Sequence, residues 1–251
     1  MSYQKKLLGI TLPHESKNSI LEYIKKNIGT TQGFFHIVSL NPEIMVLADH
    51  YPEYKQVVET GQVKIVDGVG VVLAAQLFYH TSLMRIQGSD LFVELLGLAK
   101  KRSLRVLFIG GKPGLAEEIS KCYSTKFPDS EFIGLEGIAD MQNIKREEED
   151  AIFSIVRTRR PHFVFAAFGS PNQEMWFWTN RKSLEGCICM GVGGGFDFLS
   201  GRVRRAPVIM RRLGLEWLFR LIREPWRWRR QLRLFVFLWL VVKERFSSSE
   251  T

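Results

Sequence analysis

The sequence predicts an α/β fold, a mostly parallel sheet with helices on both faces, extended at its C-terminal end by a basic amphipathic helical appendage. Three observations point there. Short apolar runs alternate with helix-like stretches along most of the chain. The runs are near-continuously apolar, as in strands buried on both faces of a sheet. All of the basic excess lies in the last fifth of the chain.

The elements follow in order. FFHIVSL at 34–40 reads as a strand, followed by one helical stretch over 42–60. VKIVD (63–67) is a second strand, and GVGVVLAAQLFY behind it is helix-like. RVLFIGG (105–111) is a strand, then PGLAEEISKCYSTKF a helix with Pro113 near its start. EFIGLEG (131–137) is a strand, and IKREEEDAIFSIVRTRR an amphipathic helix. HFVFAAFG (162–169) and CICMGVGG (187–194) complete the strands, separated by the helical PNQEMWFWTNRKSL. Sheets of this kind bind ligands in the crevice outside the carboxyl ends of their strands.

With 251 residues, 45% hydrophobic and 24% charged, the composition is that of a globular protein. Cys187 and Cys189, one residue apart in an apolar run, share one side of a strand. With Cys122 they make three thiols, which cannot build a disulfide framework and lack the ligands of a zinc site. Buried, reduced thiols in a cytosolic protein are the expectation. The opening residues lack the pattern of a signal peptide. The longest apolar run, LFVFLWLVV at 234–242, has nine residues against the roughly 18 needed to span a bilayer.

From 201 to 245, twelve Arg and one Lys face Glu216, Glu224 and Glu244, a net charge of +10. Such asymmetry calls for an anionic partner. Leu213, Trp217, Leu218, Leu221 and Ile222 follow helical spacing, flanked by Arg212, Arg220 and Arg223. Beyond Pro225, WRWRRQLRLFVFLWLVV mixes Trp and Arg before a short apolar face. Two readings stand: a core-packing helix with a solvated basic edge, or helices lying in a membrane interface with Trp and Leu in the headgroup boundary.

The strand ends carry the candidate chemistry. Ser39 and Asn41 either cap the next helix or orient a sugar. Asp67, in Asp-Gly-Val-Gly directly after a strand, is either an N-cap or a general base. Gly110, Gly111 and Gly114 form a strand–glycine–helix transition that lets backbone N–H groups approach phosphate, without the spacing of a dinucleotide fingerprint. FGSPNQE (168–174) holds Gly169, Gln173 and Glu174, the last two on the first turn of a helix. Gly193, Gly194 and Gly195 in a row are entropically costly unless something must approach that backbone. Asp197 behind them hydrogen-bonds a sugar hydroxyl or caps a turn.

In their order these motifs resemble one family. They are Ser-x-Asn-Pro-Glu, Asp-Gly-x-Gly, Arg-x-x-Gly-x-Asp (Arg85, Gly88, Asp90), Gly-Gly-x-Pro-Gly, Gly-Ser-Pro-x-Gln-Glu, Gly-Val-Gly-Gly-x-Phe-Asp and Arg-Ala-Pro…Leu-Gly-Leu-Glu-Trp-Leu. Over about residues 35–235 the chain resembles the WecG/TagA/CpsF glycosyltransferases, glycosyltransferase family 26.

The resemblance implies a Rossmann-like fold and an inverting, metal-independent transferase without a cofactor. Such an enzyme moves a sugar, N-acetylmannosamine first among the choices, from a UDP donor to a polyprenyl-diphosphate-linked saccharide. UDP-glucose and UDP-N-acetylmannosaminuronic acid are the alternative donors. It implies residues 1–200 as the catalytic domain and 201–251 as a membrane-docking appendage, in a cytoplasmic protein peripheral on the inner face of the cell membrane. Asp67 falls on the family's catalytic base, and Ser39 and Asn41 on its acceptor-orienting pair. Arg85, Gly111, Gly169, Gln173, Gly193, Gly194 and Asp197 fall on substrate-binding motifs. Arg212, Arg220, Arg223, Arg227 and Arg230 become candidates for the acceptor diphosphate or anionic lipid. Asn172 stands where the family usually has Lys or Arg, and Gly195 where Ser or Thr is frequent. An oxidoreductase lacks its dinucleotide fingerprint here. An Arg/Trp arm also suits single-stranded nucleic acid, but the run at 234–242 argues against that partner and none is expected. Homo-oligomerisation is left open.

Overall fold

A computed structural model describes residues 5–247, with the side chains of Arg227 and Ser247 outside that description. A small antiparallel hairpin, β1 (Lys6–Leu7) and β2 (Ile10–Thr11), precedes α1 (Lys17–Asn27). Then come β3 (Phe35–Leu40), α2 (Pro42–His50), α3 (Pro52–Glu59), β4 (Val63–Val66), α4 (Val69–Tyr79) and α5 (Gly88–Lys101). The central part contains β5 (Arg105–Gly110), α6 (Leu115–Lys126), β6 (Glu131–Leu135), α7 (Arg146–Arg159), β7 (Phe163–Ala167) and α8 (Asn172–Thr179). β8 (Ile188–Gly191), α9 (Gly195–Leu199), α10 (Val208–Arg212) and α11 (Glu216–Arg223) follow. A 3-10 turn at Pro225–Arg227 leads into α12 (Trp228–Ser247).

Six strands form one parallel sheet in the order β4-β3-β8-β7-β5-β6. The expected α/β class and each predicted strand are present. Period-two alternation divides the sheet's two faces. Phe35, Ile37, Val106, Phe108, Phe163, Phe165, Ile188 and Met190 pack against α1, α5 and α6. On the other face, Val38, Leu40 and Val66 pack with α2, α4 and α12. There too, Leu107, Ile109, Val164, Cys187 and Cys189 pack with α7 and α8. The two neighbouring cysteines thus share one buried face, and burial pushes the Cys187 thiol up to about 12. Cys122 is exposed, against the expectation of three buried thiols, because its position on α6 faces solvent.

Several boundaries differ from expectation, and two of the differences have a plain local cause. The stretch 42–60 is two helices, since Pro52 cannot donate into the first and instead opens the second. α6 begins at Leu115, after Gly114 in the left-handed region, so Pro113 lies in the preceding turn.

α12 is part of the core. Phe237, Leu240 and Val241, at i, i+3 and i+4, are buried between α2 and α4. Its opposite side leaves Phe235 68% and Trp239 59% exposed. Leu73 and Leu77 of α4, Trp226 of the preceding turn and Trp228 at the start of α12 are exposed as well. Among the described residues no helix is long and apolar enough to cross a membrane.

Candidate functional site

The sheet's register sets the site. Leu40 pairs with Val66, so the residues leaving β3 and β4 emerge side by side. The Asp67 and Gly68 N–H groups both donate to the Leu40 carbonyl, at 2.9 and 3.1 Å. Gly68 is required here: a Cβ on it would lie 2.5 Å from Pro42 Cδ and 2.9 Å from Asn41 Cα. Gly70 lets α12 approach, as a Cβ there would stand 3.2 Å from Leu234.

Asp67 does not cap its own helix. Gly68 is the N-cap of α4, and no side chain bonds there. The Asp67 carboxylate instead faces the backbone of Gly88 at the start of α5, whose N–H acts to lower its pKa. A Cβ on Gly88 would stand 2.9 Å from Ser39 Oγ and 3.4 Å from Asp67 Oδ2, so hydroxyl and carboxylate converge on that glycine. Burial raises the Asp67 pKa to about 6, against the opposing pull of Arg85; Glu216 raises it further, and Arg220 lowers it. Two residues of α11 therefore lie within electrostatic reach of a carboxylate just beyond β4.

Ser39 and Asn41 divide their tasks. Asn41 Oδ1 accepts from the Ile44 N–H at 3.0 Å and caps α2. Ser39 caps nothing and points toward Asp67 and Gly88.

Arg85 Nε donates to the Asp67 carbonyl and Nη1 to the Arg211 carbonyl, both at 2.8 Å. It also lines a cleft of about 360 Å³ with Lys17, Arg211 and Arg212, where Asp90 is the acidic wall. Asp90 holds Arg205 at 2.7 Å.

The glycine segments meet at the sheet's centre, where β8 lies between β3 and β7. Gly111 (φ +90°) packs against Phe196, and Lys112 Nζ pairs with Asp197 Oδ1 at 2.9 Å, tying the two loops together. The Asp197 carboxylate is thus taken by Lys112, an ion pair that sequence spacing did not suggest. Gly169 (φ +76°) and Gly193 (φ +49°) occupy the left-handed region, open to a side chain only at a conformational cost. A Cβ on Gly194 would lie 2.9 Å from Arg220 Nη2, so that guanidinium rests on the loop. Its other support is the Phe198 ring, 4.2 Å from Cζ.

Gln173 is not turned into open space. It is buried, its Oε1 accepting from the Gly193 N–H at 3.1 Å and its Nε2 donating to Glu174 Oε1 at 2.7 Å. Glu174 is buried as well and is held by three hydrogen bonds, beyond its place near the helix N-terminus.

The five appendage arginines do not act alike. Arg220 reaches the glycine loop. Arg212 lines the basic cleft and is exposed. Arg223 is exposed beside Phe219. Arg230 bonds Glu43 through both Nε and Nη2, at 3.0 and 2.9 Å, and Arg233 joins the same carboxylate. Arg230 therefore fastens α12 to the start of α2 rather than standing free for an anion. The Arg227 side chain lies outside the described residues.

Some members of this constellation were not assigned from sequence. Glu216 hydrogen-bonds Gln87 at 2.9 Å and lies near Asp67, yet it was visible only as one letter of the Leu-Gly-Leu-Glu-Trp-Leu motif. Gly88 carried a signal, a glycine at a helix start three residues beyond Arg85.

Residues 5–251 match the sequence profile described as "Glycosyl transferase WecG/TagA/CpsF family". The chain is 32% identical over 235 residues to an N-acetylglucosaminyldiphosphoundecaprenol N-acetyl-beta-D-mannosaminyltransferase of Bacillus subtilis, covering 93% of this chain and 90% of that protein. It is 34% identical over 229 residues to a protein of the same description from Bacillus spizizenii, covering 91% and 84%.

Proposed function

The chain belongs to the WecG/TagA/CpsF glycosyltransferase family, and from that premise we propose that it moves N-acetylmannosamine from a UDP donor to a polyprenyl-diphosphate-linked saccharide. The reaction inverts the anomeric centre and needs no metal. It takes place on the inner face of the cell membrane, where the protein is peripheral and assists cell-surface polysaccharide synthesis. The acceptor follows the activity for which the Bacillus relatives are named. UDP-glucose and UDP-N-acetylmannosaminuronic acid are the alternative donors.

The observation that carries this reading is the Asp67 carboxylate at the carboxyl end of β4, raised to about 6 and converging with Ser39 Oγ on Gly88. At neutral pH it is largely ionised and still basic enough to take a proton. The acceptor hydroxyl loses its proton to Asp67 as its oxygen bonds the donor's anomeric carbon. The bond from that carbon to the UDP oxygen breaks on the opposite face, and UDP leaves with the electron pair. One carboxylate suffices for a single displacement.

Stabilising the leaving diphosphate falls to N–H groups at Gly111, Gly169 and Gly194, beside the Gly193 N–H that Gln173 takes, and to the Arg220 charge at that loop. The chain contains no Asp-x-Asp, which supports the metal-independent reading. Arg85 positions Asp67 through its carbonyl. Ser39 and the amide nitrogen of Asn41 orient the acceptor. The basic cleft at Arg85 and Arg212, with Arg223 and Arg227, meets the acceptor's diphosphate and anionic headgroups.

Residues 1–200 serve as the catalytic part and 201–251 as the docking part, although α12 shares the catalytic part's core. The exposed Phe235 and Trp239 with Trp226 suit an interfacial layer. The testing experiment incubates the protein with labelled UDP-sugars and a synthetic lipid-diphosphate-linked sugar. Label in the lipid product from UDP-N-acetylmannosamine is expected; no transfer from any UDP-sugar would overturn the proposal.

A further inference from the structure

Glu174 sits inside the protein, 3% exposed, on the first turn of α8. Its Oε1 accepts from Gln173 Nε2 at 2.7 Å and from Ser170 Oγ at 3.0 Å, and its Oε2 accepts from the Tyr54 hydroxyl at 3.1 Å. Burial raises the pKa values of both Glu174 and Tyr54. No step of the proposed reaction uses this group.

Its effect is on an amide that has two possible orientations. A glutamine side chain presents oxygen or nitrogen with nearly the same shape, and only its surroundings select between them. The carboxylate of Glu174 attracts the NH2 end of Gln173. The amide oxygen is thereby turned to the Gly193 N–H, 3.1 Å away. Reversed, the amide would set NH2 against that N–H, donor against donor. The space is tight as well: a Cβ on Gly191 would lie 2.3 Å from Gln173 Nε2. Beyond Gly193, the Gly195 N–H donates to the Val192 carbonyl at 2.8 Å, while that of Gly194 has no acceptor among the described residues.

We propose that Glu174 is a positioning residue which, through the Gln173 amide, fixes the backbone of the Gly191–Gly193 turn and so the direction in which Gly194 meets the donor's diphosphate. Its functional consequence rests on the reading that this loop takes the UDP moiety. The relay runs from Tyr54 on α3, through α8, to the end of β8, spanning three elements that approach one another only in the folded state.

The test pairs Glu174→Met, which keeps length and removes the acceptor, with Glu174→Gln, which keeps an acceptor for Gln173. Gln173→Met, which removes the amide that joins Glu174 to the Gly193 N–H, provides a second breaking variant should the first fail to fold. Two quantities are read: hydrogen exchange of the Gly193 amide, and KM for each substrate. In Glu174→Met, Gly193 is expected to exchange about tenfold faster or more, as loss of one buried hydrogen bond allows. The Ile188 amide, held by the His162 carbonyl at 2.9 Å, keeps its protection. Donor KM rises by about the same factor while acceptor KM stays unchanged, and Glu174→Gln restores both. Unchanged Gly193 exchange in folded breaking variants overturns the proposal, as does an equal rise in both KM values with faster exchange everywhere. A wild type that turns over no UDP-sugar counts against the donor reading alone, and the exchange measurement still decides whether Glu174 holds the turn.

Discussion

Arg85 donates to the Asp67 carbonyl and to the Arg211 carbonyl, both at 2.8 Å, so one guanidinium joins the loop bearing the proposed base to the first helix of the appendage. A planar fork can serve two acceptors in fixed directions, whereas an ammonium offers a point charge. Arg85→Lys should therefore keep the local charge and lose the bridge. The expected result is a fall in kcat/KM of about 10- to 100-fold, with about 1–2 kcal/mol of stability lost. Steady-state kinetics beside urea unfolding checks this, and a wild-type kcat/KM would show that the bridge is dispensable.

The raised Asp67 pKa has a consequence for rate. With the carboxylate at about 6 in the free protein, log kcat/KM should be flat near neutrality and fall with unit slope as pH drops below that value. A pH–rate profile from about 4.5 to about 8, spanning that pKa, is the measurement. A flat profile to the acid limit would remove Asp67 from the proton transfer.

The same shift affects stability in the opposite sense from a paired carboxylate. The folded value of about 6 lies above the ordinary aspartate value of 3.8, so the native state favours the protonated form. Relative stability is intact below 3.8, declines between the two values, and is lowest above about 6. Asp67→Asn should accordingly raise stability at neutral pH by about 1–3 kcal/mol, with the gain nearly gone by about pH 3. Denaturant melts at several pH values report it; destabilisation at neutrality would contradict the assigned burial penalty.

Membrane docking can be separated from folding on α12. Phe235 and Trp239 are exposed, whereas Phe237 is buried in the core. Phe235→Ser with Trp239→Ser should cut binding to anionic vesicles by about tenfold or more and leave the melting temperature unchanged. Phe237→Ala should cost about 3–5 kcal/mol. Removing 225–251 outright confuses the two effects, because it exposes the core beneath Phe237, Leu240 and Val241. Flotation assays on the double variant decide the point; undiminished binding would move the docking surface elsewhere.

What sequence could reveal depended on range. The strands were readable because Val106 to Ile109 and Phe163 to Ala166 are apolar on both faces, as a covered parallel sheet demands. α5 has no counterpart among the elements expected from sequence, although Leu91, Phe92, Leu95, Leu96 and Ala99 carry helical spacing. The break at Tyr51 was signalled by Pro52. Asn41 caps a helix, a local role, while the Asp67 carboxylate faces Gly88, across a loop, and leaves its own helix uncapped. Pairings such as Glu43 with Arg230 and Glu174 with Tyr54 leave no trace in spacing; they exist only once distant helices pack.

The most direct measurement is transfer of labelled N-acetylmannosamine from its UDP donor to a lipid-diphosphate-linked sugar by Asp67→Asn, with UDP affinity determined on the same preparation. Loss of the base should lower kcat by about 10²- to 10⁴-fold while UDP binds nearly as tightly as to the wild type. Turnover close to wild type, or a variant that no longer binds UDP, would contradict Asp67 as the group that takes the acceptor's proton.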